Sequence, residues 1–188
     1  MKSTKDFVLF VLFICIVPSC NSRMSESKPI KSMEWKVELQ TRLSEFGHRN
    51  WILVVDKAFP AQNAPGILTI DTGENLLNVL SYTMQQIDSS SHIKPIVFTD
   101  KELEFITNGQ VVDIDIYRSS LSEMIKKFDS QVLLHDSIFV KMDNASKLFK
   151  VLVLKTNEKI PYSSVFIQLD CKYWSAEKEE SLRHMMQK

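Results

Sequence analysis

Strand-like and helical apolar patterns alternate along this chain, which predicts an α/β domain with helices on both faces of a largely parallel sheet. Two observations carry that expectation. Trp51 to Val55 is apolar without alternation, as in a strand covered on both faces, and Leu148 to Leu154 is a second strongly strand-like run. Between such runs stand segments whose apolar residues recur at helical spacing. The expected architecture is a three-layer α/β/α sandwich around a mainly parallel or mixed sheet.

The elements follow in order. Glu34 to Phe46 carries Trp35, Leu39, Leu43 and Phe46 on one helical face, and Gly47 stands where a left-handed C-terminal cap is wanted. Trp51 to Val55 is a strand. The loop from Asp56 to Gly66 holds two Pro and a Gly, and Ile67 to Ile70 is a short second strand. Asp71-Thr72-Gly73 is placed to cap a helix over Glu74 to Asp88, with Leu76, Leu77, Leu80, Met84 and Ile87 inward. Ser89-Ser90-Ser91 breaks the chain before a strand over Lys94 to Thr99. The second half of Val111 to Phe128 reads as helix, with Tyr117, Leu121, Ile125 and Phe128 on one face. Gln131 to Leu134 is strand-like, and Asp136 or Ser137 is placed to cap a helix running to about Lys147. Leu148 to Leu154 and Ser164 to Leu169 are the strongest strands, and Ser175 caps a last charged helix ending near Met186.

The N-terminus reads as an address. Lys2 and Lys5 precede an apolar run from Phe7 to Val17, which is shorter than the roughly 20 residues of a membrane span and fits a signal peptide. Val17-Pro18-Ser19-Cys20 resembles a bacterial lipobox, with Pro18 its less usual residue. The resemblance implies cleavage before Cys20 and lipidation of Cys20, hence anchoring in the bacterial cell envelope. An ordinary signal with an incidental cysteine is the alternative. Residues 21–32 are polar and read as a tether. The domain expected from residue 33 to 188 is about 155 residues, enough to bury about two-thirds of its unfolded surface.

Composition excludes several functions. Lys plus Arg and Asp plus Glu both number 23, so formal net charge is zero and no basic patch points to nucleic acid. The four His are scattered and no Cys pair exists, so no metal site is expected. Once Cys15 leaves with the signal and Cys20 takes lipid, only Cys171 remains, so no disulfide is expected, and Cys171 reads as a packed strand-end residue. With four Gly and no Gly-rich phosphate loop, a nucleotide cofactor is not expected.

Chemistry-bearing residues cluster at strand ends. Gly47-His48-Arg49-Asn50 precedes the first strand, and Asp56-Lys57-Ala58-Phe59-Pro60 follows it. His135-Asp136 follows another strand, and Lys155-Thr156-Asn157-Glu158 with Pro161-Tyr162-Ser163-Ser164 joins the last two. His48 titrates near neutrality when unperturbed and so gives and takes protons. Singly, these are ordinary junction, cap and turn residues.

Together they carry a resemblance. Leu43 to Gln62 resembles the signature of the ribose pyranase and fucose mutarotase (RbsD/FucU) family: Gly-His, polar residues, an apolar strand, then Asp-Ala-x-Phe/Leu-Pro. Thr156-Asn157-Glu158 with Pro161-Tyr162-Ser163-Ser164-Val165 resembles that family's C-terminal block, and His135-Asp136 falls at its His followed by an acidic residue. The resemblance implies a ribose pyranase-like fold and interconversion of the cyclic forms of a free monosaccharide such as ribose or fucose, without metal or cofactor. It implies His48 as the acid/base, with Asp56, His135, Tyr162 and Ser164 as sugar contacts. A non-catalytic sugar-binding lipoprotein of the same fold is the alternative.

Three departures stand out. Ser164 replaces a family Asn, Lys57 replaces the usual Ala, and the chain continues through Tyr173-Trp174 into a further helix. Strand length adds a constraint. Five extended residues span roughly 17 Å, which puts His48 and Asp56 at opposite ends of Trp51 to Val55. The family's ring-shaped oligomers suggest the resolution: a homo-oligomer whose site is completed by a neighbouring subunit.

Overall fold

The computed structural model describes residues 28–187. The expected signal peptide, Cys20 and most of the expected tether lie outside them. The first helix, α1 (Lys28–Glu45), begins inside the stretch expected as tether. The rest runs β1 (Trp51–Val55), β2 (Ile67–Asp71), α2 (Leu76–Ser89), β3 (Ile93–Asp100), a 3₁₀ turn (Lys101–Phe105), α3 (Ile114–Ile125), β4 (Asp129–Leu133), α4 (His135–Ser146), β5 (Val151–Lys155), β6 (Val165–Cys171) and α5 (Ala176–Met186). No helix among the described residues is long and apolar enough to cross a membrane.

Six strands form one mixed sheet in the order β2-β5-β1-β6-β3-β4. β1, β2 and β5 run parallel to one another, and β3 runs parallel to β4. β6 lies between β1 and β3 and is antiparallel to both. Its direction follows from the short link after β5, because a parallel return needs a crossover of a dozen or more residues. The ends of β1 to β5 and the start of β6 therefore share one edge of the sheet.

Alternate residues of the central strands supply two cores. Ile52, Val54, Leu152, Leu154, Val165 and Ile167 face α1, α2 and α3. Trp51, Leu53, Val55, Val153, Phe98 and Phe166 face the other way, against Phe59 and Ile138 and Met142 of α4. The two outer layers are unequal, and α5 contributes no buried residue. This is the expected α/β sandwich.

Several local expectations need correction. Gly47 is not the left-handed residue after α1; Arg49 is, at φ 75°, because the Asn50 side chain accepts the Gly47 N–H and closes the turn one residue later. Helix α2 is capped by Asn75, whose side chain accepts from Asn78 N–H. Asp71 and Thr72 instead accept from Gly73 and Glu74 N–H in tight turns before it. β5 starts at Val151 because the N–H groups of Leu148 and Phe149 still close the end of α4 on Ala145. Ser175 caps α5 as expected. Cys171 ends β6, half-buried with a free thiol.

Candidate functional site at the carboxyl edge of the sheet

Four of the five expected site residues meet at the shared strand edge. Asp56 leaves β1, His135 opens α4 after β4, and Tyr162 and Ser164 lie in the β5–β6 link. In open α/β sheets this edge, where connections diverge to either side, is the usual place for a ligand.

Asp56 and Ser164 lock together. The Ser164 hydroxyl donates to Asp56 Oδ2 at 2.9 Å, and Asp56 N–H donates back to Ser164 Oγ at 3.2 Å. Asp56 Oδ1 accepts from Ala58 N–H at 2.7 Å. Ser164 is buried, so its short side chain orients Asp56 from beneath. Lys57 turns away from Asp56. Its ammonium lies 3.2 Å from Asn157 Oδ1 and 3.5 Å from Asp71 Oδ2.

The β5–β6 link is held from three sides. Buried Thr156 donates its hydroxyl to the Val55 carbonyl at 2.8 Å, and Ser163 donates to the Ile160 carbonyl at 2.7 Å. Tyr117 of α3 donates its phenol to the Ser163 carbonyl at 3.0 Å; burial pushes that phenol's pKa up, so it stays protonated. Tyr162 sits above these anchors at φ 58°, a conformation uncommon for a bulky residue, with its ring half-exposed. The His135 ring meets Tyr162 edge-on with centroids 5.3 Å apart, and Phe139, one turn along α4, lies 4.6 Å from it.

Asp100 is not among the residues expected from the sequence. It ends β3 in register with Leu133, the last residue of β4, so α4 opens directly above it. Its side chain is fully buried, with Oδ2 3.0 Å from His135 Nδ1. The approach is close but not aligned as a hydrogen bond, and neither carboxylate oxygen has a hydrogen-bond partner among the described residues. Burial pushes the Asp100 carboxyl up to about 6; His135 pulls the other way, and the nearby Glu102 and Asp56 carboxylates add to the rise. Glu102 in turn accepts His135 N–H at 3.1 Å. This remote carboxylate caps α4, replacing the expected Asp136 or Ser137, and places a negative charge at the helix N-terminus. The signal for Asp100 in the sequence is slight: an Asp closing an apolar strand is usually a turn residue.

His48 is not at this edge. It precedes β1, half-exposed, with Nδ1 2.8 Å from Asp170 Oδ1 at the far end of β6. Arg49 Nε donates to His48 Nε2 at 3.0 Å, so the neutral ring carries its proton on Nδ1 and donates it to Asp170. Burial opposes ionisation of Asp170, but the Cys171 N–H, His48 and Lys94 outweigh it and hold its pKa low. The expectation from strand length is met: β1 separates His48 from Asp56. No group of three or more His, Cys, Asp or Glu that could hold a metal is found among the described residues.

No protein-family model matches the chain, and no curated protein matches it in sequence. Solved structures do match it in shape. FucU from Bifidobacterium longum is 18% identical, with a TM-score of 0.48 over 71% of this chain and 94% of that one. The fucose mutarotase of Streptococcus pneumoniae in complex with L-fucose is 16% identical, with a TM-score of 0.49 over 71% and 91%. RbsD of Bacillus subtilis complexed with D-ribose is 15% identical, with a TM-score of 0.51 over 71% of this chain and 91% of that one. The chain therefore has an RbsD/FucU-like fold.

Proposed function

We propose that the protein acts on a free monosaccharide, interconverting its cyclic forms by acid/base-assisted ring opening. The observation that carries this reading is the convergence of Asp56, His135, Tyr162 and Ser164 on one sheet edge, in a fold like that of ribose-bound RbsD. Ring opening needs a proton taken from the anomeric hydroxyl and one given to the ring oxygen. A positioned acid–base pair speeds such transfers roughly 10²–10⁴-fold, which suits a reaction already proceeding in water. No metal or nucleotide enters that chemistry.

On this reading Asp56 and Tyr162 contact the sugar, and His48 acts from a neighbouring subunit of a homo-oligomer. Lipidation of Cys20 would hold the assembly at the cell envelope. One observation favours a second reading, a sugar-binding protein without turnover. The Ser164 hydroxyl is already committed to Asp56, so the position of the family Asn offers a ligand less than an amide would.

NMR saturation transfer between the anomers of ribose, fucose, galactose and glucose tests the proposal. Added protein is expected to speed exchange of at least one sugar, and His48→Ala to abolish that gain while leaving the fold intact. Binding without exchange for all four would replace the enzyme with the binding protein. Exchange unaffected by His48→Ala would remove His48 from the mechanism.

A further inference from the structure

Asp100 has no place in the scheme above, yet both its carboxylate oxygens are buried without a hydrogen-bond partner among the described residues. A carboxylate removed from water is costly unless it is paired and hydrogen-bonded. Asp100 is fully buried and neither of its oxygens has a hydrogen-bond partner among the described residues. Its nearest ionisable neighbours are His135, which attracts it, and Glu102 and Asp56, which repel it. A structural Asp at a strand end normally accepts backbone N–H groups of the next turn; Asp100 caps nothing on the 3₁₀ turn that follows it. Among the described residues, the group placed to use it is the His135 imidazole, with Nδ1 3.0 Å from Oδ2.

His135 is held to present that imidazole. Its backbone N–H is fixed by Glu102, and its ring lies between Phe139 and the edge of Tyr162. Nδ1 is buried against Asp100, although the side chain as a whole is 35% exposed. Nε2 is thus the nitrogen left to meet a ligand at the edge where Asp56 and Tyr162 also lie.

Resting on the sugar-isomerising reading, we infer that Asp100 is the positioning residue of a proton-transfer dyad: it fixes the proton of His135 on Nδ1, so that Nε2 works as an acid/base on the sugar. In the forward step Nε2 takes the proton of the anomeric hydroxyl, whose C–O bond becomes a carbonyl. The ring C–O bond breaks and its electron pair stays on the ring oxygen. That oxygen takes a proton from the second acid of the site, His48 of a neighbouring subunit, which takes it back on closure. The imidazolium formed is stabilised by the Asp100 carboxylate and returns its proton on closure. The unaligned 3.0 Å contact becomes a directed Nδ1–H to Oδ2 bond as charge develops, as catalytic hydrogen bonds tighten on substrate binding.

The test is Asp100→Asn, which keeps shape and removes the charge. Anomer exchange is expected to fall about 100-fold in kcat with KM within about twofold, the size of a lost acid–base contribution. The wild-type pH–rate profile is expected to bend near pH 6, where the buried Asp100 carboxyl titrates, and Asp100→Asn to lose that bend. In a His135→Gln background, Asp100→Asn should cost no further rate; a second full loss overturns the dyad, as does an unchanged pH profile in Asp100→Asn. A readout independent of turnover separates this inference from the function it rests on. Nitrogen-15 shifts of His135 in the wild-type protein are expected to show the neutral ring protonated at Nδ1, and in Asp100→Asn a mixture of tautomers. A wild-type ring protonated at Nε2 overturns the dyad. Wild-type protein that speeds no sugar's exchange, but has the Nδ1 tautomer, overturns the sugar reading alone.

Discussion

At the residue scale, Asp100 ties stability to pH in an unusual direction. Its carboxyl rises from the ordinary 3.8 to about 6 in the folded state, so folding binds its proton more tightly than the unfolded chain does. The stability this group contributes is complete below about pH 3.8 and is lost as pH rises through 6. Holding the ionised carboxylate in the fold above pH 6 costs on the order of 3 kcal/mol. Asp100→Asn is therefore expected to match wild type in urea unfolding near pH 4 and to exceed it at pH 7.5, while losing function. Equal midpoints at both pH values would show that Asp100 is ionised without strain. Ser164 has the opposite character. Ser164→Ala leaves Asp56 Oδ2 and the Asp56 N–H without their partner, which is expected to cost about 1–2 kcal/mol in the same assay.

At the scale of elements, the central strands are legible in the sequence because they are apolar runs whose burial the sheet demands. β1 is legible to the residue, since Trp51 to Val55 is buried on both faces. Caps are less legible, because a cap is fixed by whichever oxygen reaches the orphan N–H groups. Near α2 several candidates stand in line, and Asn75 takes the role because Asp71 and Thr72 are used in turns. At α4 the cap comes from Glu102, which is remote in sequence and brought there only by the pairing of β3 with β4. The same pairing buries Asp100 under His135, so the part of the candidate site hidden in the sequence is the part made by tertiary structure. The Glu102 cap is testable. Glu102→Ala is expected to cost about 1 kcal/mol, in the range of lost N-caps, and to speed hydrogen exchange of the His135 amide ahead of the rest of α4. Exchange unchanged at His135 would show that the carboxylate is not its partner in solution.

At the scale of the whole molecule, the sheet divides the chemistry-bearing residues between two edges. Parallel β1 carries His48 at its start and Asp56 at its end, and no bending of a five-residue strand buried on both faces brings them together. His48 is also committed at its own edge, between Arg49 and Asp170. If both edges serve one sugar, the carboxyl edge of one copy must face the His48 edge of another, a heterologous contact that closes into a ring when the rotation permits. This geometry predicts complementation. His48→Ala and His135→Gln are each expected to keep only a small residual exchange alone, because each removes one side of every site. Mixed at equal concentration, dissociated and reassembled, they form some sites with an intact His48 from one variant and an intact His135 from the other. Random pairing in a head-to-tail ring leaves about a quarter of sites intact, so about a quarter of wild-type exchange should return. A site contained within one subunit has no such sites to recover, and the mixture would stay at the residual level of the separate variants. Light scattering on the wild-type protein checks the premise separately: a monodisperse monomer with full exchange activity would place both catalytic groups, whichever they are, on a single sheet edge.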